Sequence, residues 1–580
     1  MTVTSTRMLE TANSRHCRWR EFTHSLTQVS THEVTNQPPA LPEYNVVLAD
    51  PALREGIARW GRERDHPQLE TLGALAGSVE AQVWGDQADR NPPVLHTYSP
   101  QGVRIDEVDF HPAWHRLLDT AVSNGLTAEP WTEPAGTGAH LRRAAGFIAW
   151  SQVEAGHGCP VSMTYAAVPA LISSPDLMAI WAPLLASREY DFGLRPHALK
   201  RGALAGMGLT EKQGGSDLRS NTTAASEVAD GPIAGGQTYQ LTGHKWFCSA
   251  PMSDMFLILG QAPAGPTCFL VPRALDDGTR NTFMLQRLKD KLGNRSNASA
   301  EIELDGTWGV RLGEEGRGIR TILDMVAATR LDCVLGSSAT MRQALVRAAH
   351  HCRYRQTFGS ALVAQPLMRN VLMDLALESE AATTLGLRLA AAVDDGDTAF
   401  SRLAVAVGKY WVCKRTAPMV AETLECLGGN GLVEENGLAR LYREAPVNSI
   451  WEGSGNVVAL DVLRALTREP SAVAAFAAEL DLARGADARL DAAIRRAVSA
   501  MQTAAESTDP SGGQCGARAL VEQLATTLQA CLLTRFAPAF VAEAFVASRL
   551  DRAHGHTFGT LSSDRVDASA GAVIERTFPL

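Results

Sequence analysis

The sequence predicts a mainly α-helical protein with a central antiparallel β domain. Three observations predict it. Segments on both sides of the middle repeat apolar residues at helical spacing. The stretch from about 203 to 310 instead breaks into short alternating runs between turn residues. At 580 residues, 45% of them hydrophobic, the chain exceeds what one core holds, so several domains are expected.

Residues 1–36 are polar, rich in Ser, Thr and His, and without periodicity. They read as a disordered extension, with Met8 as an alternative start. A helical domain is expected over 37–202. It includes Leu53–Trp60, Trp114–Val122, Leu141–Gln152 and Asp176–Ser187, the last broken or kinked at Pro183. The β domain, 203–315, contains strands at Thr238–Thr242, Met255–Leu259 and Cys268–Val271. A helical bundle over 316–466 opens with a helix from Ile319 to about His351, carrying Ile322, Met325, Val326, Thr329 and Cys333 at helical spacing. A second helix spans about Leu367–Val393. The block 467–580 is again helical, interrupted at Pro510-Ser511-Gly512-Gly513.

Net charge is −9 and the pI about 6.0, so bulk charge gives no sign of nucleic-acid binding. The 10 cysteines are scattered without a CxxC pair, which fits reduced thiols in a cytoplasmic protein. No apolar run approaches the ~20 residues of a membrane span, and the N-terminus lacks a secretory apolar region. No residues stand at metal-ligand spacing, so no metal is expected; His244 reads as a strand histidine.

Four segments carry chemistry. Ile450-Trp451-Glu452-Gly453-Ser454-Gly455-Asn456 sets one carboxylate between bulky apolar residues and a flexible turn. Burial against Ile450 and Trp451 would raise the pKa of Glu452 towards the range of a general base. The plainer reading is a turn leading into a helix, with Ser454 as cap. Gly206-Met207-Gly208-Leu209-Thr210-Glu211-Lys212-Gln213-Gly214-Gly215-Ser216-Asp217 is a glycine-rich loop offering N–H groups and hydroxyls to a polar ring edge or a phosphate. It has neither P-loop spacing nor a βαβ context.

The third is Leu241-Thr242-Gly243-His244-Lys245-Trp246-Phe247-Cys248-Ser249. Simple alternation puts Lys245, Phe247 and Ser249 on one face and His244, Trp246 and Cys248 on the other. A twist or bulge would bring Trp246 and Ser249 to one ligand. The bland alternative is a hairpin with core aromatics and a small buried Cys248. The fourth pairs Arg355-Gln356-Thr357-Phe358-Gly359 with Leu427-Gly428-Gly429-Asn430-Gly431-Leu432. Arg355 can clamp a diphosphate and the glycine turn can approach a phosphate closely; a helix-terminal charge and a left-handed helix cap are the alternatives.

Taken in this order, the four segments resemble the acyl-CoA dehydrogenase family over about 140–466. The resemblance is strongest to its alkylation-response flavoprotein branch, through Met207–Asp217, Arg287–Ser299 and Pro446–Asn456, and there it covers nearly everything after residue 36. It implies an acyl-CoA dehydrogenase-like fold with an extra C-terminal helical domain, and FAD held between subunits of a homotetramer. Met207, Thr210 and Ser216 would lie against the flavin, with Gly208, Leu209, Gly214 and Gly215 in the same loop. Trp246 would cover the ring and Ser249 contact its edge, with Phe247 and Cys248 between them. Arg355, Phe358, Gly428 and Gly429 would reach the adenine half from a neighbouring subunit. Ser454 and Asn456 would hold the diphosphate end, beside Ile450, Trp451, Gly453 and Gly455. Glu452 falls on the family's base position. The base position that some branched-chain members use holds Thr329 before Arg330 here, which strengthens the case for Glu452.

The implied reaction is α,β-dehydrogenation of an acyl thioester. Trp451 replaces the tyrosine that usually precedes the base and would narrow the acyl slot towards short branched chains. The branch implies weak isovaleryl-CoA-type activity, a role in the adaptive response to DNA alkylation, and double-stranded DNA binding through the C-terminal block. That block holds 11 Arg, no Lys and 13 acidic residues, a net of −2, which gives such binding little support. Arg495, Arg496, Arg549 and Arg552, and the loop Arg287-Lys289-Lys291-Arg295, are the basic candidates. A metabolic short- or branched-chain acyl-CoA dehydrogenase is the alternative reading, and an FAD-stabilised scaffold without catalysis a weaker third. The sequence names no electron acceptor.

Overall fold

The computed structural model describes residues 31–506, 513–551 and 554–578. The start at Met8, most of the 1–36 extension, the Pro510–Gly512 break and Arg552 lie outside them.

The first domain is built from helices α1 (Pro51–Trp60), α2 (His66–Ala76), α3 (Val79–Arg90), α4 (Pro112–Ser123), α5 (Ala139–Ser151), α6 (Gly158–Leu171) and α7 (Pro175–Leu185). A hairpin of β1 (Val94–Tyr98) and β2 (Arg104–Asp109) interrupts them, a feature the helical periodicity did not reveal. Helix α7 runs through Pro183 and ends two residues later. The proline sits in the last turn, where few bonds remain to be lost, so the expected break becomes a terminus. Helix α5 begins at a glycine with no local side-chain cap. Its first amides donate to remote Asp394, from Gly138 at 2.7 Å and His140 at 3.0 Å.

The middle domain contains β3 (Ala205–Gly208), β4 (Ala224–Glu227), β5 (Thr238–Ser249), β6 (Met255–Ala262), β7 (Gly265–Pro272), β8 (Phe283–Leu288) and β9 (Ser299–Leu312). Their order is β3-β6-β4-β5-β9-β7, with β8 on β9, and pairing of β6 with β7 closes the sheet on itself. Most ladders are antiparallel as expected, but β6 pairs in parallel with β3 and, at one bridge, with β4, so the sheet is mixed. The apolar runs Met255–Leu259 and Cys268–Val271 are buried on both faces, which is why they show no alternation.

The bundle consists of α8 (Gly318–Tyr354), α9 (Pro366–Asp394) and α10 (Thr398–Cys426), then α11 (Leu438–Glu444) and α12 (Gly455–Arg468). A two-residue hairpin, β10 (Gln356–Thr357) with β11 (Ser360–Ala361), follows α8. Arg143 on α5 and Asp332 on α8 form a buried two-pronged ion pair, one contact at 2.7 Å, that joins the first domain to the bundle. The final helices are α13 (Pro470–Asp481), α14 (Ala488–Glu506), α15 (Ala517–Phe536), α16 (Ala539–Arg549) and α17 (Ser563–Glu575). They are tied to the rest of the protein by arginines. Arg549 meets Asp374 (2.5 Å) and Glu378 (3.1 Å) on α9, Arg576 meets Glu380 on α9 and Glu55 on α1, and Arg388 on α9 meets Glu479 on α13. Among the described residues no helix is long and apolar enough to cross a membrane.

Candidate active site

The glycine-rich loop leaves β3 and returns against β5. The amide of Trp246 donates to the Thr210 carbonyl at 2.8 Å. Below that contact Glu211 and Lys245 form an ion pair at 2.7 Å with both side chains fully buried. Glu211 also accepts from the amides and hydroxyls of Thr222 and Thr223 and from Gln213. Burial alone would raise its pKa; these donors, Lys245 first, hold it well below the usual carboxylate range. Gly215 is dictated by packing, since a Cβ there would stand 2.3 Å from the Thr210 hydroxyl. Gly214, at φ +132°, is open on all sides, and Ser216 is exposed.

Strand β5 carries a register shift against β9 between Lys245 and Cys248. The bulge turns Lys245 and Cys248 both inward, so Trp246 and Phe247 both stand on the outer side. Simple alternation is therefore overturned here. The Cys248 thiol is wholly buried and burial pushes it up to about 12, so this residue can offer a ligand only its backbone. Lys289 sits on both aromatics, its ammonium 3.6 Å from the centroid of Trp246, the ring expected over the flavin, and 4.4 Å from that of Phe247, which is still 52% exposed. His244 accepts from the Lys212 amide at 3.0 Å, as an ordinary satisfied histidine. Two partly exposed aromatics, exposed backbone at Gly214, and the Thr210, Ser216 and Ser249 hydroxyls fit a flat heteroaromatic ring with a polar edge.

Glu452 closes the other side. It stands at φ +57°, a left-handed conformation that costs a non-glycine residue on the order of 1–3 kcal/mol. Three successive carbonyls of its turn are held from beneath. Lys409, buried on α10, donates to Trp451 O at 2.9 Å and also to Gly453 O, while Arg330 Nε donates to Glu452 O at 3.0 Å. Arg330 is fixed in turn by Asp461 at 2.6 Å, and Asp461 by Arg402. The Trp451 indole donates to Asn448 at 2.9 Å, which pins the ring. The Thr329 hydroxyl donates to Glu452 Oε2 at 2.7 Å. Burial raises the Glu452 pKa, opposed by Thr329, Arg330 and Lys409. Ser454 does occupy the N-cap position of α12, but its side chain makes no capping bond, and both it and Asn456 are exposed. Ile450 is 63% exposed, so it does not bury the carboxylate as expected.

The Cys159 thiol hydrogen-bonds with Ser249 and feels the charge of Glu452, which sets the Glu452 turn on the same side of the protein as the end of β5. Arg355, Phe358, Gly428 and Gly429 do not join it. Thr329 and Arg355 lie on and just beyond one helix, roughly 39 Å apart at 1.5 Å per residue. The ends of α8 and α10 adjoin through Cys352 and the Cys426 carbonyl, which groups Arg355 with the glycine turn. There Phe358 is fully exposed, Leu367 and Leu432 largely so, and a Cβ on Gly428 or Gly429 would meet nothing. Asn36 clasps this end, accepting from Arg355 at 2.8 Å and exchanging two bonds with the Gln356 backbone. Sequence reasoning missed Lys409. Its signal was a single cation between the apolar runs Leu403–Gly408 and Tyr410–Cys413.

Comparison with known proteins agrees with this layout. Three family models match: the N-terminal domain of adaptive response protein AidB over 36–192, the acyl-CoA dehydrogenase middle domain over 206–307, and the acyl-CoA dehydrogenase C-terminal domain over 316–467. The putative acyl-CoA dehydrogenase AidB of Escherichia coli K12 is 47% identical over 481 residues, 82% of this chain and 88% of that protein. Acyl-CoA dehydrogenase family member 11 of Caenorhabditis elegans is 30% identical over 80% of this chain and 77% of that protein. The structure of C. elegans ACDH-11 in complex with C11-CoA superposes with a TM-score of 0.80 at 26% identity, covering 96% of this chain and 98% of that one.

Removing one partner of the Glu211–Lys245 pair strands a buried charge. Lys245→Met is expected to cost about 3–5 kcal/mol, seen as a lower urea midpoint. Combining it with Glu211→Leu should recover little of the loss, because the Thr222 and Thr223 amides and hydroxyls then lose their acceptor.

Proposed function

The chain belongs to the acyl-CoA dehydrogenase family, in the group that carries an AidB-type N-terminal domain, and on that premise we propose that it is an FAD-dependent oxidoreductase of the adaptive response to DNA alkylation. The observation that carries the catalytic half is Glu452, a desolvated carboxylate on a turn whose carbonyls are held from below. The carboxylate removes the α-proton of an acyl thioester. The amide of Glu452 donates to the thioester carbonyl as it gains charge. FAD supplies the two-electron acceptor for the β-hydride, leaving a 2,3-enoyl thioester. Met207, Thr210, Ser216 and the Trp246–Ser249 strand hold its ring, and Ser454 and Asn456 its diphosphate end.

Arg355, Phe358, Gly428 and Gly429 serve the cofactor of another copy, because roughly 39 Å of helix separates Arg355 from the base. The exposed Phe358, Leu367 and Leu432 support a homo-oligomer, with a tetramer as the family's form. The pinned Trp451 ring favours short branched acyl chains such as isovaleryl. The adaptive-response half rests on the AidB match over 36–192 and on the 47% identity.

Binding of double-stranded DNA draws less from the residues. Arg549 is buried in ion pairs with Asp374 and Glu378, and Arg535, Arg565 and Arg576 are also paired. Arg495 and Arg496 on α14 are exposed and make no ion pair among the described residues, so they are the basic candidates that remain there. Lys289 and Lys291 are engaged with Glu301 and Ser299. Salt-sensitive retention of duplex DNA that weakens in Arg495→Glu/Arg496→Glu is the expected result; no retention at low salt removes the DNA role.

Anaerobic titration of the yellow protein with isovaleryl-CoA tests the catalytic reading. Slow bleaching of flavin absorbance is expected, and Glu452→Gln should keep FAD and abolish it. Rapid stoichiometric bleaching favours a metabolic short- or branched-chain dehydrogenase instead. Thr329→Val removes a donor to the charged carboxylate, so the Glu452 pKa rises and the acid limb of kcat/KM moves to higher pH.

A further inference from the structure

The loop between β8 and β9 delivers one half-buried lysine to the candidate site. Lys291 Nζ donates to Asn297 O at 2.5 Å and to Ser299 Oγ at 2.9 Å. Ser299 stands directly opposite Ser249 in the β5–β9 register, and the two hydroxyl oxygens are 3.2 Å apart. An ammonium only donates. Ser299 therefore accepts from Lys291 and is left with its own hydrogen to give to Ser249. Ser249 in turn keeps a hydrogen to direct outward, with the weakly accepting Cys159 thiol as its competitor.

The loop is built to hold this position. A Cβ on Gly293 would come within 2.3 Å of the Arg443 carbonyl, and Asn294 takes φ +55°. The Asn294 amide donates to Glu444 at 2.7 Å and the Ser296 hydroxyl to Glu154 at 2.8 Å. The groups facing Lys291 are Cys159, Glu444 and Glu154, with Glu452 beyond Cys159. Burial pushes Glu444 up to about 8, whereas at Glu154 hydrogen bonds from His157 and Gly156 outweigh burial and lower it to about 2.

We propose that Lys291 is a positioning residue for the flavin: its ammonium orders and polarises the Ser299–Ser249 hydroxyl chain, so that a strengthened donor points at the cofactor's polar edge. This rests on placing Ser249 at that edge. A charge-assisted hydrogen-bond chain stabilises electron density on the ring and raises the reduction potential. Burial lowers the Lys291 pKa to about 8, so the effect is present below that pH and fades above it.

The test uses FAD-loaded wild type, Lys291→Met, Lys291→Gln, Lys291→Arg and Ser249→Ala. Midpoint potentials come from equilibrium dye titration, and flavin absorbance is followed on both sides of pH 8. Lys291→Met should shift the reduction equilibrium about tenfold towards the oxidised form, about 30 mV for a two-electron couple. Lys291→Gln should move it the same way by less, Lys291→Arg should restore it, and the wild-type spectral change near pH 8 should vanish in the Met variant. Should Lys291→Met fail to retain FAD, the Gln and Arg pair decides. A shift in Ser249→Ala with none in the Met and Gln variants overturns the relay but leaves the flavin site standing. Ser249→Ala without effect on potential or spectrum overturns the placement of Ser249 itself.

Discussion

The Glu211–Lys245 ion pair is the constraint on which the site geometry depends. It welds the glycine-rich loop to β5, two segments more than thirty positions apart that must present one surface. Such a pair gains little net stability over apolar packing, because both charges must leave water. Its value is specificity. A buried ammonium tolerates one register of β5, the one that aims Lys245 at Glu211, and that register forces the bulge exposing Trp246 and Phe247 together. The six donors gathered on Glu211 make any slipped arrangement expensive, since each would leave a buried carboxylate unsatisfied.

The base turn follows the same logic with the charges reversed. Lys409, Arg330 and Thr329, on two bundle helices, hold a left-handed glutamate in a conformation it would not adopt alone. Two opposing effects tune that carboxylate. Burial drives it towards the neutral acid, and the cations and the hydroxyl draw it back. Thr329 supports the carboxylate with a hydrogen bond.

The helical and strand segments were readable because periodicity is a local property, and the functional segments because each is contiguous. What sequence could not supply were partners distant along the chain. Lys409 looked like one charge in an apolar helix, Lys291 like part of a charged hairpin, and Arg549 like a candidate DNA contact. Each proved to be an internal strut or donor. The alternation rule failed at Cys248 because a bulge adds a residue without changing composition. Pro183 was misjudged because its cost depends on distance from the helix end. The capping of α5 by Asp394 was invisible for the same reason as Lys409, since the cap lies 254 positions from His140.

The length of α8 has a thermodynamic consequence. A rigid rod carries the base support near one end and the distal arginine just past the other. In the arrangement proposed above, in which the distal end serves another copy, no subunit completes a cofactor site alone. Cofactor retention then becomes a mass-action property, tied to protein concentration as firmly as to any single contact. Dilution would drain the flavin and loosen the assembly as one linked equilibrium, and added flavin would pull the subunits back together.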